Sequence, residues 1–189
     1  MIKNKQIFIT GGAGFIANTL IRRLVDNNKI VIFDNFHRDT FSGSDLKDNQ
    51  NIEVIKGDVL DYEHVKKSMK GSDIVVHAAG IAGIDTVINN PVLTGRVNVI
   101  GTANVLEAAK ENNVTDRLID FSTSEVFGSM AFKSSETDST VAGSAGEARW
   151  TYAVSKLAGE HLAHAYYKQF NLPCVTVRPF NVYGPGQTG

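Results

Sequence analysis

Short apolar runs alternate along the chain with longer segments in which apolar residues recur at helical spacing. Ile7, Phe8 and Ile9 form the first run, and residues 10–17 (TGGAGFIA) lead from it into an amphipathic segment over 15–25 with Ile16, Leu20, Ile21 and Leu24 at helical intervals. The pattern predicts strand, tight glycine turn, helix. Lys29–Asp34 (KIVIFD) reads as a second strand, 36–50 as a polar surface loop, and Ile52, Val54 and Ile55 as a third strand closed by Gly57 and Asp58. A helix over about 62–69 leads to a fourth strand, Ile74–His77, followed by Ala78, Ala79 and Gly80. Residues 91–112 read as one long helix with Pro91 in its first turn and Leu93, Val97, Ile100, Val105 and Leu106 apolar. Then come a strand at Arg117–Phe121, an aperiodic stretch over 131–148, a helix over 150–170 and a strand over 173–178. There is no internal repeat. Strands alternating with helices predict an α/β fold with a doubly wound, mostly parallel sheet.

Composition narrows the class without choosing a function. With 189 residues, 42% hydrophobic and 21% charged, the chain can build one domain with a real core. A net charge of −1 gives no general attraction to nucleic acid or to an anionic membrane. No apolar run approaches the roughly 20 residues of a spanning helix, and the amino terminus shows no signal-peptide pattern, so a cytoplasmic location is expected. The single cysteine, Cys174, lies beside Val175 in an apolar run and reads as a packed strand residue, not a nucleophile. No metal site is expected.

The glycine turn changes the picture most. Glycines there allow positive φ and close approach of a pyrophosphate, and the helix start at Phe15 and Ile16 offers N–H groups and the positive end of a dipole. An ordinary strand-to-helix turn is the plainer alternative. Asp34 ends the second strand twenty residues beyond Gly14, where an acid can accept from the adenosine ribose hydroxyls and repel a 2′-phosphate. That favours NAD over NADP, although Asp34 and Asn35 could merely begin a turn, and His37 and Arg38 leave room for some NADP tolerance. Asp58 is placed to meet an adenine amino group. Ala78, Ala79 and Gly80 leave space for a flat ring, or simply allow tight helix-on-sheet packing.

Residues 122–128 (STSEVFG) put hydroxyls and an acid at a strand's carboxyl end, where open parallel sheets bind ligands. Tyr152 and Lys156 are four apart on a predicted helix and share a face. A nearby ammonium favours the phenolate of a tyrosine whose ordinary pKa is about 10, and Thr123 could share a substrate proton with it. These are the parts needed to deprotonate an alcohol while its hydride leaves to NAD. The 91–112 helix carries more than one apolar stripe, which fits a second subunit or a fully covered core helix. The 131–148 stretch is long enough to be functional or mobile.

Taken together, the motifs TGGAGFIA, VIFDNF, GDVLD, HAAG, NVIGT, STSEVFG, YAVSK and RPFNVYGPGQ resemble, in order, those of the NAD-dependent nucleotide-sugar epimerase/dehydratase family of extended short-chain dehydrogenases/reductases. The resemblance implies a Rossmann-type NAD-binding domain over 1–189. It implies Gly11, Gly14 and Ala17 at the phosphate turn, Asp34 at the ribose, Asp58 and Val59 at the adenine, and Thr123, Tyr152 and Lys156 as the catalytic set. The cofactor set also takes in Phe15, Ile16, Asn35, Ala78, Ala79 and Gly80. Ser124 and Asn181 are expected at the nucleotide-sugar. Ala17 stands where glycine is commoner, a change of one methyl at a packing position.

Family members continue into a smaller substrate-binding domain, so that domain is expected to be absent, truncated or supplied by a partner. A chain without it could be a cofactor-binding module with no independent catalysis. Glu125 within Thr, Ser, Glu resembles 4,6-dehydratases and glucuronate decarboxylases more than galactose-type 4-epimerases. An acid there could remove a C5 proton beside a 4-keto group, or could cap the following helix start. A homodimer through 91–112 and 150–170 is expected.

Overall fold

The computed structural model describes residues 2–187. Its centre is a six-stranded sheet in the order β3-β2-β1-β4-β5-β6, formed by β1 (Gln6–Thr10), β2 (Lys29–Asp34), β3 (Ile52–Lys56), β4 (Ile74–His77), β5 (Arg117–Phe121) and β6 (Cys174–Val177). Every pairing is parallel, with Ile7 opposite both Ile30 and Ile74. The central strands are apolar along most of their length because helices cover both faces. On one face Ile7, Ile9, Ile30 and Ile32 pack with Ala17 and Ile21 of α1 (Phe15–Leu24). On the other, Phe8, Phe33, Val75 and Leu118 pack with Val65 of α2 (Tyr62–Ser68) and with Val105, Leu106 and Ala163 from later helices.

Three departures from the sequence pattern matter. The 36–50 stretch has no regular element, but it is not merely surface: Phe41 and Leu46 are buried against the α1 side of the core. A short helix, α3 (Ile84–Asn89), lies where the sequence pattern shows none, because only Val87 of its apolar residues is buried and no stripe develops. The expected single helix over 91–112 is three helical segments in series: α4 (Pro91–Gly95), a π-helical stretch Arg96–Gly101, and α5 (Thr102–Glu111). Gly101 meets the Val59 side chain so closely that a Cβ would lie 2.7 Å from Val59 Cγ2. The wide turn coincides with the inward placement of Asn98. The last helix, α6 (Ala148–Phe170), packs on α3, α4, α5, the π stretch and β6.

Candidate active site

The strand order reverses between β1 and β4, which places the loops after these strands side by side at the carboxyl end of the sheet. Gly11 has φ +68°, and a Cβ on it would stand 2.6 Å from the Ala79 nitrogen and 2.7 Å from the Ala78 carbonyl carbon. Only glycine fits this point, where the two loops touch. Gly14 precedes α1 without a side-chain cap, so the first-turn amides of Phe15 and Ile16 have no partner within the helix. Asp34 closes the rim: one oxygen accepts from Ala13 N at 3.0 Å, the other from Phe36 N at 2.7 Å. Burial raises its pKa and the amide bonds oppose that. Asp34 thus begins a turn, as the plainer reading has it, and also faces the glycine turn. Asn35 is exposed beside it, its side chain accepting from His37 N.

The hydroxyl cluster follows β5. Thr123, buried, accepts from Glu125 N at 3.3 Å and so caps the short 3₁₀ turn Ser124–Phe127. The cap is therefore Thr123 and not Glu125, whose half-buried side chain lies in the first turn. The Thr123 hydroxyl lies close enough to Tyr152 on α6 to favour its phenolate, and the Glu125 charge opposes it. Ser124 N donates to Pro179 O at 3.0 Å, tying the turn to the segment after β6, in which Asn181 is exposed.

Lys156 is 6% exposed and donates from Nζ to the Phe121 carbonyl at 2.7 Å. Gly80 makes room for it, since a Cβ there would lie 2.9 Å from Nζ. The structure brings together Thr123 and Tyr152, and Lys156 and Gly80. It corrects one expectation. Burial, foremost, raises the Tyr152 pKa, with Thr123 lowering it and Glu125 raising it; Lys156 is not among the causes, because its ammonium is turned onto Phe121.

Behind these residues runs a buried polar chain that the motifs do not announce. Thr102 Oγ1 donates to Asn98 O at 2.7 Å, so His77 Nε2, 3.0 Å away, is the donor to that hydroxyl. His77 Nδ1 then accepts from Thr10 Oγ1 at 2.7 Å, and Thr10 Oγ1 accepts from Ala79 N at 3.4 Å. Burial, aided by the Lys156 charge, lowers the His77 pKa to about 3, which keeps the ring neutral. Asn98 holds Ile81 N and Ile81 O at 2.8 and 3.1 Å and donates to Ser155 Oγ at 3.1 Å; Ser155 in turn donates to Tyr152 O at 2.7 Å. Polar residues within apolar runs, His77 after IVV and Asn98 between two valines, were the available signal.

The adenine-side residues divide. Asp58 is exposed, with one oxygen accepting from Leu60 N at 2.9 Å. Val59 is buried in the core, and its carbonyl accepts from Asn104 Nδ2 at 2.9 Å. Arg38 does not turn toward Asp34; it donates to Thr86 Oγ1 at 3.2 Å, spanning from the β2 loop to α3. Cys174 is half-buried, and burial pushes its thiol up to about 11, far from a nucleophile. Among the described residues there is no cluster able to hold a metal ion, and no helix is long and apolar enough to cross a membrane.

Known proteins share this architecture. UDP-N-acetyl-alpha-D-glucosaminuronate decarboxylase of Bacillus cytotoxicus is 36% identical over 182 residues, 96% of this chain and 56% of its own length. dTDP-glucose 4,6-dehydratase of Streptomyces niveus is 32% identical over 194 residues, 96% of this chain and 55% of its own. The chain therefore spans a little over half the length of these relatives. The solved UDP-glucuronic acid 4-epimerase of Bacillus cereus, in complex with UDP-glucuronic acid and NAD, superposes with TM-score 0.84 at 33% identity, covering 96% of this chain and 58% of that one. A UDP-N-acetylglucosamine 4-epimerase from Methanobrevibacter ruminantium superposes with TM-score 0.89 at 28% identity over 99% of this chain and 58% of that one. The family model described as the NAD dependent epimerase/dehydratase family matches residues 7–189, and the chain belongs to that family.

Proposed function

We propose that residues 1–189 form an NAD-binding, Rossmann-type domain and that this chain serves the modification of a nucleotide-sugar through a transient 4-keto sugar. The observation that carries the reading is the pairing of Thr123 with Tyr152 after β5 while Lys156, one turn further along the same helix, packs against Gly80 in the loop that adjoins the Gly11 turn. The residues fit the cofactor: Gly11 keeps the turn free of side chain, and Gly80 gives Lys156 its place. Gly14, Phe15 and Ile16 would hold the pyrophosphate, Asp34 and Asn35 the ribose, Asp58 and Val59 the adenine, and Ala78, Ala79 and Gly80 the nicotinamide side.

When bound, NAD would supply a hydride acceptor and the positive charge of its nicotinamide, which opposes the burial that raises the Tyr152 pKa. As the phenolate, Tyr152 takes the proton of the sugar hydroxyl, Thr123 orients that hydroxyl and the phenol together, and Lys156 would hold the nicotinamide ribose. Ser124 and Asn181 face the nucleotide-sugar. Glu125, within electrostatic reach of Tyr152, is the group available for a C5 proton. That favours dehydration over 4-epimerisation, in keeping with the dehydratase named among the relatives; decarboxylation, the reaction of the other, breaks the C5–C6 bond of a 4-keto uronate and needs no base at C5. Exposed apolar residues on α4, the π stretch and α6 support a homodimer through 91–112 and 150–170.

The test uses a protein that extends this chain through the length of its relatives. Tyr152→Phe should lower turnover of a nucleotide-sugar about 100-fold or more while NAD binding by calorimetry stays within about twofold; unchanged turnover would remove the tyrosine from the mechanism. Product masses across a panel of nucleotide-sugars distinguish loss of water, loss of carbon dioxide and no change. The 189-residue chain alone, binding NAD but no nucleotide-sugar, would act as a cofactor module.

A further inference from the structure

Asp120 lies on β5, one residue before the carbonyl that holds Lys156, and nothing in the proposed mechanism uses it. It is 2% exposed, and its Oδ1 is buried without a hydrogen-bond partner, as is the Ser122 hydroxyl two residues on, which points to the same side of the sheet. A buried carboxylate with an unmet oxygen is costly unless its charge is used. The sheet could have placed an apolar residue here, as it does at Leu118 on the same face. Instead α6 comes down onto the carboxylate through Gly159, where a Cβ would lie 3.8 Å from Asp120 Oδ2 and 3.4 Å from Thr102 Cγ2.

The titratable and charged groups around Asp120 come from every packed element. His77 stands opposite it on β4 and is neutral. From α6 come Lys156, which favours the ionised form, and Glu160, which opposes it and is itself engaged by Arg178 at 2.7 Å. From β6 comes the Cys174 thiol, which the Asp120 charge helps to raise. Lys156 is thus the cation that answers Asp120. Its only hydrogen bond to protein among the described residues is to the Phe121 carbonyl, and burial works against its ammonium while Asp120 works for it.

We propose that Asp120 is a positioning residue for the candidate active site: its buried carboxylate is the counter-charge that keeps Lys156 an ammonium at the end of β5. The coupling is electrostatic, one residue removed from the hydrogen bond, so Asp120 sets the charge of Lys156 without touching a ligand. Burial pushes the Asp120 pKa up to about 6, with Lys156 pulling it back, so the carboxylate is ionised above that pH. The inference rests on the role proposed for Lys156, but the charge coupling itself is measurable without substrate.

The experiment is carbon-13 NMR of the 189-residue chain carrying [ε-13C]lysine and [γ-13C]aspartate, with Lys156→Gln and Asp120→Asn assigning the two signals. Asp120 should titrate near 6, and the Lys156 signal should register the same step. In Asp120→Asn the Lys156 midpoint should fall by about one pH unit or more. A variant that had only loosened the fold would move Lys156 the other way, toward the ordinary value of a solvated lysine. Two results overturn the proposal: no step in the Lys156 signal as Asp120 titrates, or a Lys156 midpoint in Asp120→Asn that is unchanged or raised. The first needs only the wild-type protein and stands even if the variant does not fold. Either leaves the assignment of Tyr152 to its own turnover test.

Discussion

Gly11 is the residue on which the cofactor cleft turns. Its positive φ is costly for any L side chain, by about 1–2 kcal/mol, and a Cβ would run into the backbone of Ala78 and Ala79, which cannot swing aside. Gly11→Ala should therefore lower stability by about 2–4 kcal/mol in urea denaturation and weaken NAD binding by calorimetry. A substitution at Gly80 differs in kind, because it meets the flexible end of Lys156 and not main chain. The Gly11 turn, Asp34, Thr123, Tyr152 and Lys156 were legible in the sequence because their chemistry depends on residue type at fixed spacing. What was not legible is direction. Four residues of helix place Lys156 and Tyr152 on one face, yet the ammonium points at the Phe121 carbonyl, and burial governs the phenol. Spacing fixes where a side chain starts, not which acceptor captures its end.

Among the elements, the strands are legible with bounds close to those observed, since β2 and β4 are apolar runs closed by polar residues. The helical segments between β4 and β5 are not. α3 buries too little to write a periodic stripe, and no periodicity rule announces a π turn. That turn matters because Asn98, buried within it, ties the loop at Ile81 to Ser155 on α6. Asn98→Ala would leave the Ile81 amide and carbonyl without their side-chain partner and remove the bond that the Ser155 hydroxyl accepts. It should lower stability by about 3 kcal/mol and speed amide hydrogen exchange in the first turns of α6. Asn98→Asp keeps the acceptor for Ile81 N but loses both donors, so it should rescue only part of the loss.

For the molecule as a whole, two buried groups give opposing pH dependences. His77, with its pKa lowered to about 3, is neutral in the fold but takes up a proton when unfolded below about 6.5, so its contribution to stability is lost as pH falls through that window. Asp120, raised from 3.8 to about 6, binds its proton more readily in the fold, so its contribution is present at low pH and lost as pH rises through about 6. Between about 4 and 6 the two slopes oppose each other, each at most about 1.4 kcal/mol per pH unit. Urea denaturation across that range should show His77→Gln gaining stability relative to wild type as pH falls, and Asp120→Asn losing it.

The outer face supplies the second molecular prediction. Val92 is 75% exposed, Leu93 and Ile100 are also exposed, and Val154 lies exposed on the adjoining α6. Sizing at rising concentration should show a dimer that Leu93→Arg returns to a monomer with unchanged melting temperature; a strict monomer at every concentration would count against the pairing. The sheet order has a consequence in time as well as in space. β1 can pair with β2 after a short excursion, but its other neighbour, β4, arrives only after β3 and α2, with Ile7 waiting for Ile74. The wall that Ala78 and Ala79 present to Gly11 forms with that late, non-local pairing. The glycine turn therefore has its full shape only where β1 and β4 are paired, and the cleft for a dinucleotide exists only once the two halves of the sheet have met.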